Sequence, residues 1–545
     1  MSSEISVSGK MSSKLLRLRR FLYTGNEDAI YRTGNPAALR LYYRSKLKVI
    51  NEILKPNDLD MILNEVETAN DRGCLPRPET VLFVLAVALR CTRNYARRRR
   101  IFATLKNICC SVKDLYQYIN FHIKCGGRFG VGLKNFINQY FVEKDPLALA
   151  IEITYEDGCE GWEHKDIIEI CRIKPNKIAT KVVLEYATKG LNSAIACAAG
   201  DSDSNEIIKR FCQIEELKNC NNADNAAALI TALKCDLSVV PTGFHLNRQV
   251  WAAIASVIST RDLLSYLPKL LRLNVLKPGS LLEQIISEYL VDEELIETSC
   301  IELLEVLIVI THFDRSKEEI DINDVVENDD GEDEDTEESS VIITNALYTM
   351  MNIVIQNRQP INKRFMIVIE LTDKMDYFCF NQEHITCLVA AAVILTAFIK
   401  LEPNVIVGIF NGNNIDCLEI PQNEKPIGIL SILTRFESSF VMPSAMFQWA
   451  LQKRANIDVF INLMSDFEWI TTIPEGLADP GTLEPLDSLE RYRREMSLPN
   501  AKLISFSLSS PEWRIGRNNP GVLDVYGFNA EIMTVIKAFA NELFR

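Results

Sequence analysis

The chain has 545 residues, 47% of them hydrophobic, and a formal net charge of −14. This length exceeds one compact core and predicts two to four domains, at about 150 residues per domain. The sequence contains no run of about 18 uninterrupted apolar residues and does not open on a signal-peptide core, which argues against a membrane span and against secretion. The 15 cysteines include no C-x-x-C pair, so we expect reduced thiols rather than a disulfide framework or a zinc module.

The two parts of the chain differ in charge. Residues 1–190 contain 31 Lys and Arg against 21 Asp and Glu, whereas residues 191–545 contain 28 against 52. A basic N-terminal part on an acidic protein is expected when only one region must attract a polyanion. A chance imbalance on solvated helix faces is the alternative interpretation.

Residues 40–310 carry apolar side chains at the three-to-four spacing of helices, with short polar connections. Two segments, Glu79–Arg90 and Ile301–Ile310, are apolar on most faces, so they are predicted to be helices buried by neighbours on both sides. Prolines indicate helix boundaries at Pro76, Pro78, Pro146, Pro175, Pro241 and Pro278. The pattern predicts stacked helix pairs of the HEAT type.

An acidic block follows the helical part. Thirteen acidic residues and no basic one lie between Glu318 and Glu338. Such a block repels itself and cannot bury apolar area, so we predict a disordered insertion over residues 317–340. Near a basic surface it would compete with RNA phosphates at low salt. A connecting helix is predicted over residues 341–362.

The periodicity changes after Lys363. Short apolar runs at residues 364–370, 404–410, 458–464 and 501–507 predict strands, separated by helical stretches such as residues 385–398. Strands and helices that alternate at this length predict βαβ units around a parallel sheet. In such a sheet, the loops that leave the carboxyl ends of the strands hold any ligand.

Collinear segments in both parts of the chain are similar to one known family. In the N-terminal part they are Leu18–Glu27, Lys124–Gly126, Arg128–Tyr140, Leu147–Ile151, Gly161–Pro175 and Tyr186–Gly190. In the C-terminal part they are Asp458–Ile461, Pro499–Ile504 and Val522–Phe528. With these segments the chain resembles the Ro ribonucleoprotein (SS-A/Ro autoantigen) family, which joins a TROVE module to a von Willebrand A-like domain.

The resemblance implies a mainly α protein with a C-terminal α/β domain. It implies a HEAT-like helical-repeat ring over residues 14–316, closed by a von Willebrand A-like domain of the Rossmann type over residues 363–545. In that family the outer ring surface binds small structured Y RNAs, and the cavity accepts ends of misfolded non-coding RNAs. The implied role is RNA quality control and stability, without catalysis and without a cofactor.

The resemblance also carries expectations about partners and location. We expect small non-coding (Y-like) RNA and misfolded RNA as partners, and protein partners through the A-like domain. We expect a monomer without a membrane association, located in the cytoplasm, with the nucleus as a further location.

The residues expected to bind RNA are cations that reach outward from helix faces or from glycine-rich turns. They are Lys124, Arg128, Lys134, His164, Lys165, Arg172, Lys174, Lys177, Lys181 and Lys189. Trp162, Tyr155 and Phe129 offer aromatic planes to unpaired bases, although core packing is the favoured interpretation of Trp162. For His164, a structural role at a helix start is the alternative. The basic run Arg97–Arg100 is a nuclear-targeting patch, a phosphate clamp or, as we favour, a solvated turn.

Departures from the family pattern bear on Y RNA in particular. Tyr155 and Cys159 stand where relatives carry basic residues, and Lys218–Asn222 is poorer in charge than its counterpart. Arg172 stands at the family's RNA-contacting histidine, where it keeps a donor and fixes its charge. General RNA binding is therefore better supported than Y RNA recognition.

A metal site is implied by the A-like domain, which usually surrounds a divalent cation with an Asp-x-Ser-x-Ser loop, a threonine and an aspartate. Here the loop reads Glu370-Leu-Thr-Asp-Lys374, so that Thr372 keeps a hydroxyl and Lys374 replaces the second serine. Alignment with the family places Phe440 at the threonine, and Ser465 or Asp466 at the final aspartate.

Mg²⁺ demands near-ideal octahedral oxygen geometry, which this loop has lost. We therefore predict a degenerate, metal-free site in which Lys374 takes the place of the cation and its charge answers Glu370 and Asp466. A site that simply decayed, in a domain that only braces the ring, is the alternative.

Two other classes of function compete with RNA binding. A protein-interaction scaffold is favoured by the acidic total and opposed by the basic N-terminal part. An enzyme is less supported, because the five histidines are scattered without H-x-x-x-H spacing and no G-x-x-x-x-G-K-[ST] loop occurs.

Overall fold

The computed structural model describes residues 2–55, 58–155, 158–277, 279–323, 337–382, 384–466, 484–511, 514–516 and 519–544. By their contacts these residues form two compact units. The first unit comprises Met1–Val84, Glu302–Thr311 and Ile355–Arg545, and the second comprises Leu85–Ile301 and His312–Val354. The units interleave along the chain, whereas the predicted boundaries are consecutive.

The N-terminal elements of the chain are one short strand and four helices. They are α1 (Ser2–Thr24), β1 (Ile30–Arg32), α2 (Val49–Leu54), α3 (Leu59–Asp71) and α4 (Glu79–Cys91). Every side chain from Val81 to Leu89 is at most 3% exposed. The prediction of a helix buried on most faces is thus confirmed for α4.

The second unit continues as short helices, each started or ended by a local signal. They are α5 (Tyr95–Ile108), α6 (Val112–Lys124), α7 (Val131–Glu143), α8 (Pro146–Tyr155), α9 (His164–Cys171), α10 (Ile178–Lys189), α11 (Leu191–Ala198), α12 (Asn205–Lys218), α13 (Ala223–Leu233), α14 (Arg248–Ala255), α15 (Thr260–Arg272), α16 (Leu281–Leu290) and α17 (Glu293–Thr298). A hairpin of β2 (Gly158–Cys159) and β3 (Trp162–Glu163) precedes α9.

Capping side chains explain where several of these helices begin. Ser111 and Asp114 form a reciprocal capping box at α6, which satisfies two backbone amides that the first turn leaves unpaired. Ser259 and Ser280 cap α15 and α16 with their side-chain oxygens, which accept from the amides of Asp262 and Glu283. Neighbours in sequence pack on one another, as α10 does on α11 and α13 on α14. This agrees with the predicted stacking of successive helices.

Two longer helices follow, α18 (Leu303–Asn323) and α19 (Glu337–Gln356). The predicted connecting helix corresponds to α19. Of the disordered insertion predicted over residues 317–340, residues 317–323 and 337–340 belong to α18 and α19 and are helical instead. Residues 324–336 lie outside the described residues. In the described ranges, no helix has the length and the hydrophobicity needed to cross a bilayer.

The C-terminal part of the chain forms a mixed, mainly parallel sheet. Its strands are β4 (Phe365–Ile369), β5 (Val405–Asn411), β6 (Asn414–Leu418), β7 (Val459–Met464), β8 (Lys502–Ser507) and β9 (Val522–Tyr526), and its helices are α20 (Cys387–Leu401), α21 (Pro426–Leu433), α22 (Ala445–Gln452), α23 (Pro485–Glu495) and α24 (Ile532–Ala540). The strand order is β1-β9-β8-β7-β4-β5-β6, with only β6 antiparallel to its neighbour. The four predicted strands are confirmed as β4, β5, β7 and β8.

The strand order reverses at β4, which has β7 on one side and β5 on the other. The chain leaves β4 and β7 in opposite directions from this point, which opens a crevice at their carboxyl ends. Glu370 follows β4 there, and Ser465 follows β7. The candidate metal residues are therefore brought together by the topology of the sheet.

An N-terminal strand completes the sheet at its other edge. In β1, Ile30 pairs with Asp524 and Arg32 with Tyr526 of β9, in parallel register. Asp28 adds an ion pair to Arg514, with 3.0 Å between Oδ2 and Nη1. These contacts group the first 84 residues with the sheet, which the linear boundaries at residues 316 and 363 do not anticipate.

Candidate nucleic-acid interface

The turn between α9 and α10 is shaped by one residue with a left-handed backbone. A capping box of Glu163 and Asp166 begins α9, and Arg172 ends it with a φ of 51°. The amide of Ile173 then donates to the carbonyl of Ile168 at 3.4 Å, and the Ile173 side chain is 9% exposed. This closure of the helix end buries Ile173 and leaves its neighbours Arg172 and Lys174 exposed.

Five predicted cations are exposed on α9, the turn and α10. They are Lys165, Arg172, Lys174, Lys177 and Lys181, which we call the α9–α10 cationic surface. Within the described residues, none of the five forms a salt bridge to a carboxylate. Their charges are therefore open to an anionic ligand.

Lys189, at the end of α10, is exposed but already paired. Its Nζ lies 2.9 Å from a carboxylate oxygen of Glu185, one helical turn earlier. The hydrogen bond from Lys189 lowers the pKa of Glu185, helped by a second hydrogen bond from Ser193. Lys189 therefore contributes less free charge to the surface than the other five cations.

His164 was predicted to bind RNA, and the structure corrects this prediction because the ring of His164 lies inside the protein. It is 4% exposed, and its Nδ1 is 2.7 Å from the hydroxyl of Tyr116. Its position in α9 lines up with Ile167, Ile168 and Cys171 on the buried face. The capping box at this helix start uses Glu163 and Asp166, so His164 is a core residue and not the cap.

Lys134 is likewise engaged within the second unit. Its Nζ donates to the carbonyl of Ile170 at 2.7 Å, near the end of α9. Such a cation at a helix carboxyl end satisfies an unpaired carbonyl and opposes the negative end of the helix dipole. Its role is to hold α9 against α7.

Lys124 and Arg128 are exposed at the turn between α6 and α7. The turn is made by Gly126, whose φ is 80°, and by Gly127, where a methyl group would overlap the ring of His122. The sequence predicted that these glycines allow close approach to the backbone. In the structure, the group that approaches is the protein's own His122 ring. The two cations project from a turn that cannot accept larger residues.

The basic run Arg97–Arg100 lies within α5, so the solvated turn favoured from the sequence is wrong. Asn94 caps this helix by accepting from the amide of Arg97, which explains why the run is helical. Arg99 and Arg100 are exposed, whereas Arg97 and Arg98 are half-buried.

The aromatic side chains that were candidates for base stacking pack against other residues of the second unit. Trp162 meets Phe129 edge to face, with 5.5 Å between ring centroids. The hydroxyl of Tyr155 donates to the carbonyl of Lys234 at 2.6 Å, and the guanidinium of Arg210 lies 5.3 Å from its ring. The three rings are half-buried, so none is presented as an open stacking platform.

The second candidate site lies at the carboxyl edge of the sheet. Glu370 is 5% exposed and both of its oxygens are used within the protein. Oε1 accepts from the Thr372 hydroxyl at 2.5 Å, and Oε2 accepts from the amide and hydroxyl of Ser465 at 2.8 and 3.0 Å. Burial raises the pKa of Glu370, and these hydrogen bonds oppose the rise.

The remaining residues of this edge do not present oxygens to a cation. Lys374 Nζ lies 3.0 Å from Asp466 Oδ2. Phe440 packs on the core, and Gly412 leaves room for its ring at the turn between β5 and β6. The residues present therefore do not fit a divalent cation. Lys374 forms the predicted ion pair with Asp466. Glu370 instead accepts hydrogen bonds from hydroxyl and amide donors.

Comparison with known proteins gives three concordant results. Residues 364–540 match the family model of the Ro60 vWA domain. The chain is 18% identical to the RNA-binding protein RO60 of Caenorhabditis elegans, over 96% of this chain and 87% of that protein. It is similar to the crystal structure of the Ro (RSR) protein of Deinococcus radiodurans, with a TM-score of 0.77 and 20% identity, over 97% of this chain and 99% of that chain.

These comparisons confirm the predicted resemblance to the Ro family. They also confirm the fold class, a helical N-terminal part joined to a C-terminal A-like domain with a parallel sheet.

Proposed function

We propose that this protein binds RNA. The proposal follows from a C-terminal domain that matches the Ro60 vWA domain and from a fold that is similar to a Ro protein along the chain. The observation that carries the proposal is the α9–α10 cationic surface, whose five exposed cations form no salt bridge to a carboxylate of the described residues. The relative from C. elegans is named as an RNA-binding protein. We propose the same chemistry for this chain.

The geometry of this surface suits phosphates. Lys and Arg side chains that project from a rigid support neutralise phosphates and release condensed counterions. Helix α10 adds its positive end, since Lys177 at the N-cap position forms no capping hydrogen bond and no acidic residue lies in the first turn. Arg172, whose backbone is left-handed, contributes a guanidinium, a two-pronged donor, to the exposed turn that also contains Lys174.

The RNA class is a finer part of the proposal. We propose small structured non-coding RNA of the Y type and the ends of misfolded non-coding RNA as ligands, in RNA quality control and stability. Support for RNA in general is broader than support for Y RNA, because Tyr155 and Cys159 replace basic residues of the family. We propose a binding function without catalysis, in the cytoplasm.

The A-like domain has a separate proposed role. We propose that its sheet edge engages protein partners without a bridging cation. The bond from Lys374 to Asp466 supports this, since a fixed ammonium already supplies the positive charge that a metal would bring.

Binding of the full chain to a structured and to a single-stranded RNA, measured over a range of salt concentrations, tests the proposal. Each phosphate neutralised on a single strand adds about 0.7 to the slope of log affinity against log salt. Replacing Arg172, Lys174 and Lys177 by alanine is expected to lower that slope by about 2 for three lost contacts.

A matched control removes three exposed cations elsewhere in the same unit, Lys209, Lys234 and Lys277. Lys234 has the same left-handed backbone as Arg172, with a φ of 51°, so the control also matches any backbone effect. Equal losses in both triple variants would assign the effect to total charge and contradict the surface. Absence of RNA binding at low salt would favour the protein-interaction scaffold.

A further inference from the structure

Three arginines from different elements converge near the turn between α6 and α7. Arg90 lies in the last turn of α4, Arg98 in the first turns of α5, and Arg128 follows the glycines of the turn. We call them the arginine cluster. They come from separate parts of the chain, so their proximity is a product of the fold.

Contacts around Gly126 and His122 establish this proximity. A methyl group built on Gly126 would lie 3.8 Å from Nε of Arg90. The ring of His122 is 3.2 Å from the carbonyl of Arg128, and it stacks on Tyr118. Burial lowers the pKa of His122, and the positive charges of Arg98 and Arg90 oppose its protonation as well. Both guanidinium groups therefore act on the same buried ring.

Helix packing places Arg98 beside the start of α7. Gly132 approaches the ring of Phe102 so closely that a methyl group there would lie 3.1 Å from it. Phe102 also stacks on Phe136, with 5.6 Å between centroids. Arg98 is one helical turn before Phe102 on the same face of α5. It therefore lies near the beginning of α7, which Arg128 precedes.

The charges of this cluster have no salt-bridge partner among the described residues. In the parts of the chain that the structure describes, no carboxylate forms a salt bridge with Arg90, Arg98 or Arg128. The first turns of α5 and α7 contain no acidic residue. Arginines at the positive end of a helix dipole are unfavourable there, and an anion would relieve this repulsion.

Two buried polar atoms beneath the cluster have no hydrogen-bond partner among the residues that the structure describes. They are the hydroxyl of Tyr118, which is fully buried, and Nδ1 of His122, which is 4% exposed. Buried polar groups in native proteins usually have a partner. These two atoms therefore make the region beneath the arginine cluster polar.

We propose that the arginine cluster binds a phosphate group that carries more than one charge, such as the 5′-terminal phosphate of an RNA. Three guanidinium groups exceed what one singly charged internal phosphodiester requires, and their forked donors match phosphate oxygens. Gly126 removes the side chain that would stand beside Arg90. This inference rests on the proposed RNA binding, but it concerns residues outside the α9–α10 cationic surface.

The test measures binding of the full chain to one RNA sequence prepared with a 5′-hydroxyl, a 5′-monophosphate or a 5′-triphosphate. The phosphorylated forms are expected to bind about tenfold more tightly than the hydroxyl form, as charge-assisted hydrogen bonds of this kind would produce. Arg90→Ala with Arg98→Ala is expected to abolish the preference and to leave affinity for the 5′-hydroxyl RNA unchanged. Arg98→Lys, which keeps the charge and loses the fork, is expected to retain part of it.

Inorganic tripolyphosphate provides an arm that does not depend on RNA. Calorimetry is expected to show its binding to the wild-type chain and to the Lys209→Ala and Lys277→Ala control, but not to the double arginine variant. Equal affinity for all three RNA ends, or equal losses of 5′-hydroxyl and 5′-phosphate binding in the double variant, would overturn the inference. A chain that binds tripolyphosphate but no RNA would instead overturn the proposed function.

Discussion

Lys374 and Asp466 form an ion pair, 3.0 Å from Nζ to Oδ2, at the carboxyl edge of the sheet. The two residues follow different strands, β4 and β7, on either side of the crevice. The pair is partly buried, with side-chain exposures of 28% and 16%. An internal ammonium thus lies where domains of this kind usually hold a cation.

Divalent cations are therefore expected not to bind at this edge. Titration of Mn²⁺ into the full chain, with free Mn²⁺ followed by electron paramagnetic resonance, is expected to leave the signal of the free ion undiminished at sub-millimolar concentrations. The reason is that Mn²⁺ and Mg²⁺ need several oxygen ligands, while the oxygens of Glu370 are already bonded to Thr372 and Ser465. Stoichiometric uptake that Glu370→Gln removes would contradict this expectation.

The ion pair itself makes a second prediction. Lys374→Met leaves the carboxylate of Asp466 without this cation in a partly buried place, and we expect a loss of about 1 to 2 kcal/mol in the free energy of unfolding, between the values for exposed and buried pairs. Combining Lys374→Met with Asp466→Asn is expected to recover part of that loss. Additive effects in the double variant would show that the two groups do not interact.

Asp524 is expected to make the stability of the first unit depend on pH. Its carboxylate is 2% exposed, and it accepts from the amides of Ile515 and Gly516 at 3.1 to 3.2 Å. Burial raises the pKa of Asp524 to about 7, against these hydrogen bonds. Because the folded-state pKa exceeds the unfolded value of about 3.9, the folded state holds the proton more tightly.

Stability is consequently expected to fall as the pH rises from about 4 to 7 and to level off above. Asp524→Asn cannot ionise, so its stability relative to the wild type should improve by about 2 kcal/mol between pH 5 and pH 8. Denaturant unfolding at several pH values measures this difference, with the exposed Asp203→Asn as control. A constant difference at all pH values would show that Asp524 stays ionised in the folded protein.

The acidic block between Glu318 and Glu338 is predicted to reduce non-specific RNA binding at low salt. We expect its thirteen negative charges to compete with phosphates for the cationic surface, and salt to screen this competition. Replacing residues 324–336, which contain eight of these acidic residues, by an uncharged Gly-Ser segment of equal length should tighten binding to random single-stranded RNA at low salt and change little at high salt. Unchanged binding at low salt would indicate that the acidic block acts only as a spacer.

The parts of the fold that the sequence predicted are those with a local signal. The segments Phe365–Ile369 and Val459–Met464 are apolar except at Asn462, because both faces of these strands are buried, and they are β4 and β7 in the structure. By contrast β1 has three residues and no such pattern. Its pairing with β9 depends on contacts between distant parts of the chain, which local periodicity cannot show.

The same distinction between local signals and distant contacts applies to the residues of the candidate site. Exposure of Lys165, Arg172 and Lys174 follows from their charge, and the structure places Lys165 at the start of α9 and the other two in the turn that follows it. His164 was misjudged from its charged neighbours, although its helical spacing to Ile167 and Cys171 indicates the buried face. The arginine cluster was not predicted as a group, because Arg90, Arg98 and Arg128 are brought together only by the packing of α4, α5 and α7.

The pairing of β1 with β9 has a consequence for synthesis on the ribosome. Tyr31 and Asn529, which join this edge through a hydrogen bond of 3.1 Å, are 498 positions apart. The first strand must therefore wait, unpaired, until almost the entire polypeptide has emerged, since translation proceeds at about 5 to 20 residues per second. A fragment that starts after Arg32 would leave β9 as an open edge, where another chain can add a strand and begin aggregation.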